Sequence, residues 1–170
     1  MNLKKYIIDV ENFPKEGIVF KDITPLLNDA AAFKYTIDQM ADFVKKSGAT
    51  VVVAPEARGF LFASAVAYAS NTRFVLVRKP GKLPRKVLDI AYTLEYGENH
   101  QQMHDGDIKP GDKVVIVDDV LATGGTIEAI IKLVEMQGGT VEGISFLADL
   151  TNLHEDDLLA EYNVQKILKY

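Results

Sequence analysis

Apolar side chains in this sequence gather into four short runs, Thr50–Ala54, Arg73–Val77, Val114–Val117 and Val141–Leu147. The first three are nearly continuous and rich in β-branched residues, the pattern of strands buried on both faces of a parallel sheet. Helical spacing lies between them. Phe33, Ile37, Met40, Ala41 and Val44 recur at i, i+4, i+7, i+8 and i+11, an amphipathic stripe with Asn28 as a fitting N-cap and Gly48 as a stop. Ile127, Ile130, Ile131 and Val134 repeat that spacing until Gly138-Gly139 ends it. Phe60–Ala69 is small and apolar on most sides, which suits a helix laid on a sheet. Pro110-Gly111 predicts a type II turn just before the third strand. Strand alternating with helix at these intervals predicts an α/β fold: a doubly wound, mainly parallel sheet with helices on both faces.

Two segments break the alternation. Residues 11–27 hold Pro14, Gly17 and Pro25 around the short run Ile18-Val19-Phe20. Residues 78–98 form a long polar connection between the second and third core strands, with no clear periodicity. Such a connection is expected to be a functional lid or a floppy insertion. No repeat, heptad series, low-complexity tract or linker divides the chain, so residues 1–170 read as one domain.

Composition narrows the class of function. The 170 residues are 48% hydrophobic and 25% charged, a globular balance. A net charge of −5 counts against nucleic acid or an anionic membrane as the main partner. The absence of Cys removes disulfides, thiolate metal sites and a cysteine nucleophile, and fits a reducing, cytoplasmic setting. The longest stretch free of Asp, Glu, Lys and Arg, Gly59–Thr72, has 14 residues. A membrane span needs about 18–20 apolar ones. Any polyanion must therefore be held locally, against the overall charge.

The stretch from Val114 to Thr126 carries the chemistry. A buried strand ends in Asp118 and Asp119, a turn of small and hydroxylated residues follows, and a helix begins. In open α/β sheets ligands sit beyond the carboxyl ends of the strands. A helix start there offers free N–H groups and the positive end of the macrodipole, which suits a phosphate. Gly124 and Gly125 admit close backbone approach, and Thr123 and Thr126 add hydroxyls. The paired carboxylates suit a ribose diol or a hydrated Mg2+. Neither Gly-x-x-x-x-Gly-Lys-[Ser/Thr] nor Gly-x-Gly-x-x-Gly occurs, which disfavours those two nucleotide sites.

Asp118-Asp119-Val120-Leu121-Ala122-Thr123-Gly124-Gly125-Thr126 closely resembles the phosphoribosyl-pyrophosphate motif of the type I phosphoribosyltransferases, in the form typical of their adenine-specific members. Matching blocks run through nearly the whole chain: Phe13–Pro25, Glu56–Phe60, Val77–Pro84, Tyr92–Gly97 and Leu150-Thr151. The resemblance implies transfer of a phosphoribosyl group from phosphoribosyl pyrophosphate to adenine, with Mg2+, in a homodimer. It also implies a hood at residues 1–27 and a flexible catalytic loop at 78–98. Asp118 and Asp119 would hold the ribose hydroxyls, directly or through the metal, and Ala122, Thr123, Gly124, Gly125 and Thr126 would wrap the 5-phosphate.

By the same resemblance, Arg58 and Gly59 would form the pyrophosphate loop, with Arg58 binding pyrophosphate oxygens. Ala57 stands where adenine-specific members usually carry Ser, which removes one hydroxyl donor. Residues 78–86 hold five cations and no acid. Arg78, Lys79 and Lys82 would meet the pyrophosphate, Arg78 with a reach toward a neighbouring subunit's site. Glu95 would relay a proton to or from the purine, and Tyr96 would help close the loop. Val19, Phe20 and Lys21 would receive the base, Phe20 by stacking and the other two through their backbone. The three histidines, 100, 104 and 154, show no ligand spacing.

Two rivals remain open on the sequence. One is a transferase for xanthine, hypoxanthine/guanine or orotate; the hypoxanthine/guanine enzymes usually build the base hood after the phosphate motif, where this chain has little left. The other is a non-catalytic sensor that binds phosphoribosyl pyrophosphate and regulates a partner. Transcription regulators on this fold append a DNA-binding domain, for which the chain has no room.

Overall fold

The computed structural model describes residues 1–94 and 96–170. Its N-terminal strands β1 (Ile8–Glu11) and β2 (Val19–Asp22) pair antiparallel as a small separate ribbon. After the one-turn helix α1 (Thr24–Leu27) come α2 (Ala30–Ser47), β3 (Val51–Pro55), α3 (Arg58–Ser70) and β4 (Arg73–Val77). A hairpin, β5 (Val87–Thr93) and β6 (Glu98–His104), precedes β7 (Lys113–Leu121), α4 (Gly125–Met136), β8 (Thr140–Asp149) and β9 (Val164–Lys169). The main sheet has the order β4-β3-β7-β8-β9, and every neighbouring pair is parallel. The expected doubly wound sheet is what forms.

Period-two alternation divides the strands between two cores. Val52, Ala54, Val115, Val117 and Leu147 face α2 and α3, where they pack with Met40, Val44, Phe62 and Val66. Val51, Val53, Val114, Ile116, Ile144 and Phe146 face α4 and meet Ile127, Ile130 and Val134. Both faces are buried, which explains why these strands read as unbroken apolar runs rather than alternating ones.

Several local expectations shift. The N-cap of α2 is Asp29, whose Oδ1 accepts from Ala32 N at 2.8 Å, not Asn28. Asn28 instead ends the preceding turn, its N–H bonded to the Thr24 carbonyl at 3.0 Å. Gly48 closes α2 with φ 71°, as expected. Gly111, at φ 87°, sits at the third position of the turn in which Asp112 N bonds the Lys109 carbonyl at 3.0 Å. The third core strand runs on past Val117 to Leu121, so the acidic pair lies inside β7. The fifth strand, β9, escaped the pattern because its residues are half-buried at the sheet edge and alternate with Gln165 and two lysines.

The largest correction concerns residues 78–98. Much of this stretch is not irregular: it forms β5 and the start of β6, paired from Val87↔His104 to Thr93↔Glu98. Leu88, Ile90 and Tyr92 alternate along one face, and Leu88 and Ile90 pack on the α4-side core. Of the residues between them, Asp89 is charged but Ala91 is apolar, which blurs this period of two. Glu95 lies outside the described residues.

Strand order reverses between β3 and β7. Chain continuing from β3 goes to the β4 edge, and the chain then returns on the other side as β7. A crevice opens at the carboxyl ends of strands at such a switch point.

Candidate active site

That crevice is a cleft of about 420 Å³, lined by Glu56, Arg58, Lys79, Tyr92, Gln101, Asp118, Asp119 and Thr126, among others. Next to it a recess of about 80 Å³ is formed by Asp118 and the 120–127 turn. The two spaces share Asp118 and Thr126, so they form one bipartite site at the ends of β3 and β7.

Two helices begin here, and neither has a side-chain cap. Ala57 precedes α3 and Gly124, at φ 90°, precedes α4. By contrast α2, which starts away from the cleft, is capped by Asp29. Uncapped N–H groups at both helix starts remain available to an anion. Ala57 in place of a hydroxyl residue therefore leaves α3's first turn without a side-chain acceptor.

Close packing explains the glycines. A Cβ on Gly59 would stand 2.9 Å from Asp118 Oδ1 and 3.2 Å from Pro55 Cδ, so only Gly lets α3 start against the acidic end of β7. A Cβ on Gly125 would stand 2.9 Å from the Tyr92 ring. Gly124 is backed by Leu158, which occupies the space a Cβ would need.

Asp118 and Asp119 differ in setting although adjacent. Asp119 is 5% exposed, and its Oδ2 lies 2.8 Å from Arg58 Nε. That contact is close enough for an ion pair but outside hydrogen-bonding alignment, so Asp119 Oδ2 and Arg58 Nη1 are both buried without a hydrogen-bond partner. Asp118 Oδ1 accepts from Asp119 N at 2.8 Å. Burial, then repulsion from the Asp119 carboxylate, holds the Asp118 carboxyl well above the usual range, with Arg58 opposing. Solvent still reaches part of the Asp118 residue, so access is open while its charge is disfavoured. A hydroxyl donor or a cation arriving in the cleft would relieve this pair.

Arg58 also joins the hood to the cleft. Its guanidinium lies 4.8 Å from the centre of the Phe20 ring, and Phe20 in turn meets Phe13 edge-on at 5.1 Å. Val19 is 48% exposed. The Lys21 side chain turns away, to Asp9 at 2.6 Å and over the Tyr170 ring. Only the backbone of Lys21 is thus left to meet a ligand on the cleft side.

The basic run divides. Lys79 lines the cleft. Arg78 does not: its Nε pairs with Glu56 Oε1 at 3.3 Å and its guanidinium lies over Phe60, although the sequence placed it on the pyrophosphate. Glu56 Oε1 also accepts from Lys79 N at 2.7 Å, which fixes the strand-end backbone. Lys82 is exposed and does not line the cleft. Tyr96 is 89% exposed and shields nothing in this conformation.

Sequence reasoning missed Tyr92 and Gln101 as cleft residues. Tyr92 Oη lies 3.0 Å from Thr126 Oγ1, and Gln101 Nε2 donates to Tyr92 Oη at 3.3 Å. Gln101 Oε1 is buried without a partner. The signal that locates them is the period of two in β5 and its antiparallel partner, which puts Tyr92 and Gln101 on the inward face.

With the site described, its relatives can be set beside it. Residues 25–167 match the phosphoribosyl transferase domain, and the chain belongs to the phosphoribosyltransferase family. Adenine phosphoribosyltransferases are among its relatives. An adenine phosphoribosyltransferase of Mesoplasma florum is 76% identical over 170 residues, all of both chains. The crystal structure of adenine phosphoribosyltransferase from Thermoanaerobacter pseudethanolicus is 48% identical, with a TM-score of 0.94 over 99% of this chain and 98% of that one. The Saccharomyces cerevisiae enzyme of the same name, complexed with adenine and an imino-altritol bisphosphate, is 32% identical. Its TM-score is 0.90 over 98% of this chain and 96% of that one.

Proposed function

We propose that this chain transfers the 5-phosphoribosyl group of phosphoribosyl pyrophosphate to adenine, giving AMP and pyrophosphate, in purine salvage. The observation that carries the reading is the bipartite site. A turn and helix start sized for a phosphate adjoins a cleft holding Asp118, Asp119, Arg58 and Lys79. The 5-phosphate goes to Ala122–Thr126, the ribose hydroxyls to Asp118 and Asp119, and the pyrophosphate to Arg58, Lys79 and the backbone at Gly59. The bond from C1 to pyrophosphate breaks ahead of attack by the purine N9, leaving positive charge on the ribose. Adenine's N9 proton leaves as the new C–N bond forms. Positioning and neutralisation of the leaving group carry most of the rate.

Val19, Phe20 and Lys21 receive the base in this reading, with Phe20 stacked on it. Glu95 relays the proton. Lys82 and Tyr96, both exposed, come over the pyrophosphate as the turns at the two ends of β5 close, which excludes water.

Among the described residues no group of three or more His, Cys, Asp or Glu converges on one point. An all-protein metal cage is therefore not what these residues fit. Asp118, partly open to solvent, and Asp119 beside it fit a Mg2+ held mainly through substrate oxygens and water, which these carboxylates would steady. When bound, Mg2+ neutralises charge on the leaving pyrophosphate.

A homodimer completes the reading. An apolar groove of about 640 Å³ runs between α2 and α3, lined by Phe33, Ile37, Leu61 and Tyr68, with Tyr68 91% exposed. A second copy is the occupant that would cover it. Arg78, turned out of its own cleft, then serves the partner's site. No helix is long and apolar enough to cross a membrane among the described residues. With no cysteine in the chain, the cytoplasm is the proposed setting.

The test is a pyrophosphate-release assay across adenine, hypoxanthine, guanine and xanthine, with and without Mg2+. Release selective for adenine and dependent on Mg2+ is expected. A preference for a 6-oxopurine overturns the base assignment, and binding without release for any base would leave the sensor.

A further inference from the structure

One buried titratable side chain has no part in the mechanism above. His154 lies in the connector between β8 and β9, with its side chain 3% exposed. Its Nε2 is 2.6 Å from Asp149 Oδ1 and its Nδ1 is 2.8 Å from the Glu155 carbonyl. Both partners are acceptors, and a neutral imidazole has one N–H to give. Both bonds are made only by the imidazolium. Asp149 is fully buried at the end of β8 and is reached on its other oxygen by Lys166 Nζ of β9 at 2.8 Å. The groups facing His154 are thus Asp149 from β8, Lys166 from β9 and the carbonyl on its own connector.

This cluster sits beside the phosphate turn. Asp149 is in register with Leu121, the last residue of β7, and Leu150 N bonds the Leu121 carbonyl at 3.0 Å. The turn Ala122–Gly124 starts at the next residue. The connector that His154 ties down also carries Leu158, which backs Gly124 at its positive φ. Leu158 and Leu159 join Ile127 of α4 in the α4-side core.

We propose that His154 is a positioning residue for the phosphate turn: tied to Asp149, it holds the connector so that Leu158 stays against Gly124 and the turn keeps the shape that receives the sugar 5-phosphate. The inference rests on the phosphoribosyl reading of that turn. The Glu155 carbonyl, then Asp149, raises the imidazole above its ordinary value, against burial and Lys166. The clamp is complete below the ordinary value of 6.5 and gives up one of its two bonds as pH rises through the raised one.

The experiment measures binding of ribose 5-phosphate, and separately of pyrophosphate with Mg2+, by calorimetry to wild type, His154→Gln and Leu158→Ala. Loss of a charged, buried hydrogen bond predicts ribose 5-phosphate affinity about five- to tenfold weaker in His154→Gln, with pyrophosphate affinity unchanged. Leu158→Ala, which leaves the clamp in place, is expected to show the same selective loss and carries the test should His154→Gln not fold. In wild type the KM for phosphoribosyl pyrophosphate rises with pH more steeply than in His154→Gln. Retained affinity in both variants overturns the proposal, as do parallel pH profiles or equal loss for both ligands. Wild type that binds pyrophosphate but not ribose 5-phosphate overturns the phosphoribosyl reading itself, a result distinct from all of these.

Discussion

Replacing Asp112 by Asn separates the end of the sheet that stabilises the fold from the end that does chemistry. Asp112 stands at the start of β7, where Arg73 forks onto it with Nη1 at 2.8 Å and Nη2 at 3.0 Å from the two carboxylate oxygens. Thr50 Oγ1 donates at 3.1 Å and Lys109 N at 2.8 Å. One carboxylate thus ties together the entries to β3, β4 and β7. The Arg73 guanidinium, against burial and with help from Lys109 and Thr50, lowers the carboxyl from 3.8 to about 2. That drop corresponds to about 2 kcal/mol of folding stability at neutral pH as an upper bound. Arg73 is 45% exposed, so solvent screening trims the figure to about 1–2 kcal/mol. The folded value is depressed, so this contribution is complete above 3.8 and fades as pH falls through 2. Urea titrations followed by circular dichroism, from pH 7 down to pH 2.5, read the difference. Asp112→Asn is expected to lose about 1–2 kcal/mol at pH 7, a Tm drop of about 2–8 °C for a chain of this size. The gap should narrow steadily below pH 4. Turnover at 25 °C should match wild type, because six residue steps along the strand, about 20 Å, separate Asp112 from Asp118. A gap independent of pH, or none at pH 7, refutes the reasoning.

Other substitutions probe the cleft itself. Gly59→Ala forces a Cβ to 2.9 Å from Asp118 Oδ1, so kcat/KM is expected to fall by at least about tenfold while circular dichroism stays native; wild-type kinetics would sink the packing argument. Asp119→Asn removes the partner of Arg58, and a fall in kcat/KM of about a hundredfold is expected, with unchanged rates ruling out its proposed role. Tyr92→Phe deletes the hydroxyl 3.0 Å from Thr126 Oγ1; KM for phosphoribosyl pyrophosphate should rise about three- to tenfold with adenine KM constant, and a change confined to adenine would contradict the placement. Tyr68→Glu puts a charge on the α2–α3 groove, and light scattering should show a shift toward monomer if a second copy covers it.

Much of the fold was legible because both faces of the sheet are covered. Val51–Ala54 and Val114–Val117 are apolar throughout, and their neighbours on either face are apolar too, so composition alone marked the strands. The hairpin was harder to see. Its outer face carries Asp89, His100 and Gln102, joined to each other and to Glu98 by hydrogen bonds and ion pairs at 2.7–2.9 Å. Polar residues that satisfy one another across two strands look, along one strand, like a loop. The turn from Asp118 to Thr126 was legible for the opposite reason: its partners are near in sequence, as a strand end, a bend and a helix start must be.

The same distinction explains which site residues sequence could not assign. Arg58 and Asp119 are 61 positions apart, and their pairing follows from β3 and β7 lying side by side at the switch point. Arg78 carried the right charge beside the right strand, yet Glu56 at the end of β3 holds it across the register Pro55↔Val77. Charge count could locate a basic run; it could not say which of its members an acid would claim first. Where the acid is Glu56, the cation is turned from the cleft and toward Phe60. Where it is Asp119, the cation stays in the cleft lining with its Nη1 N–H groups unbonded, donors that the proposed pyrophosphate role of Arg58 would use.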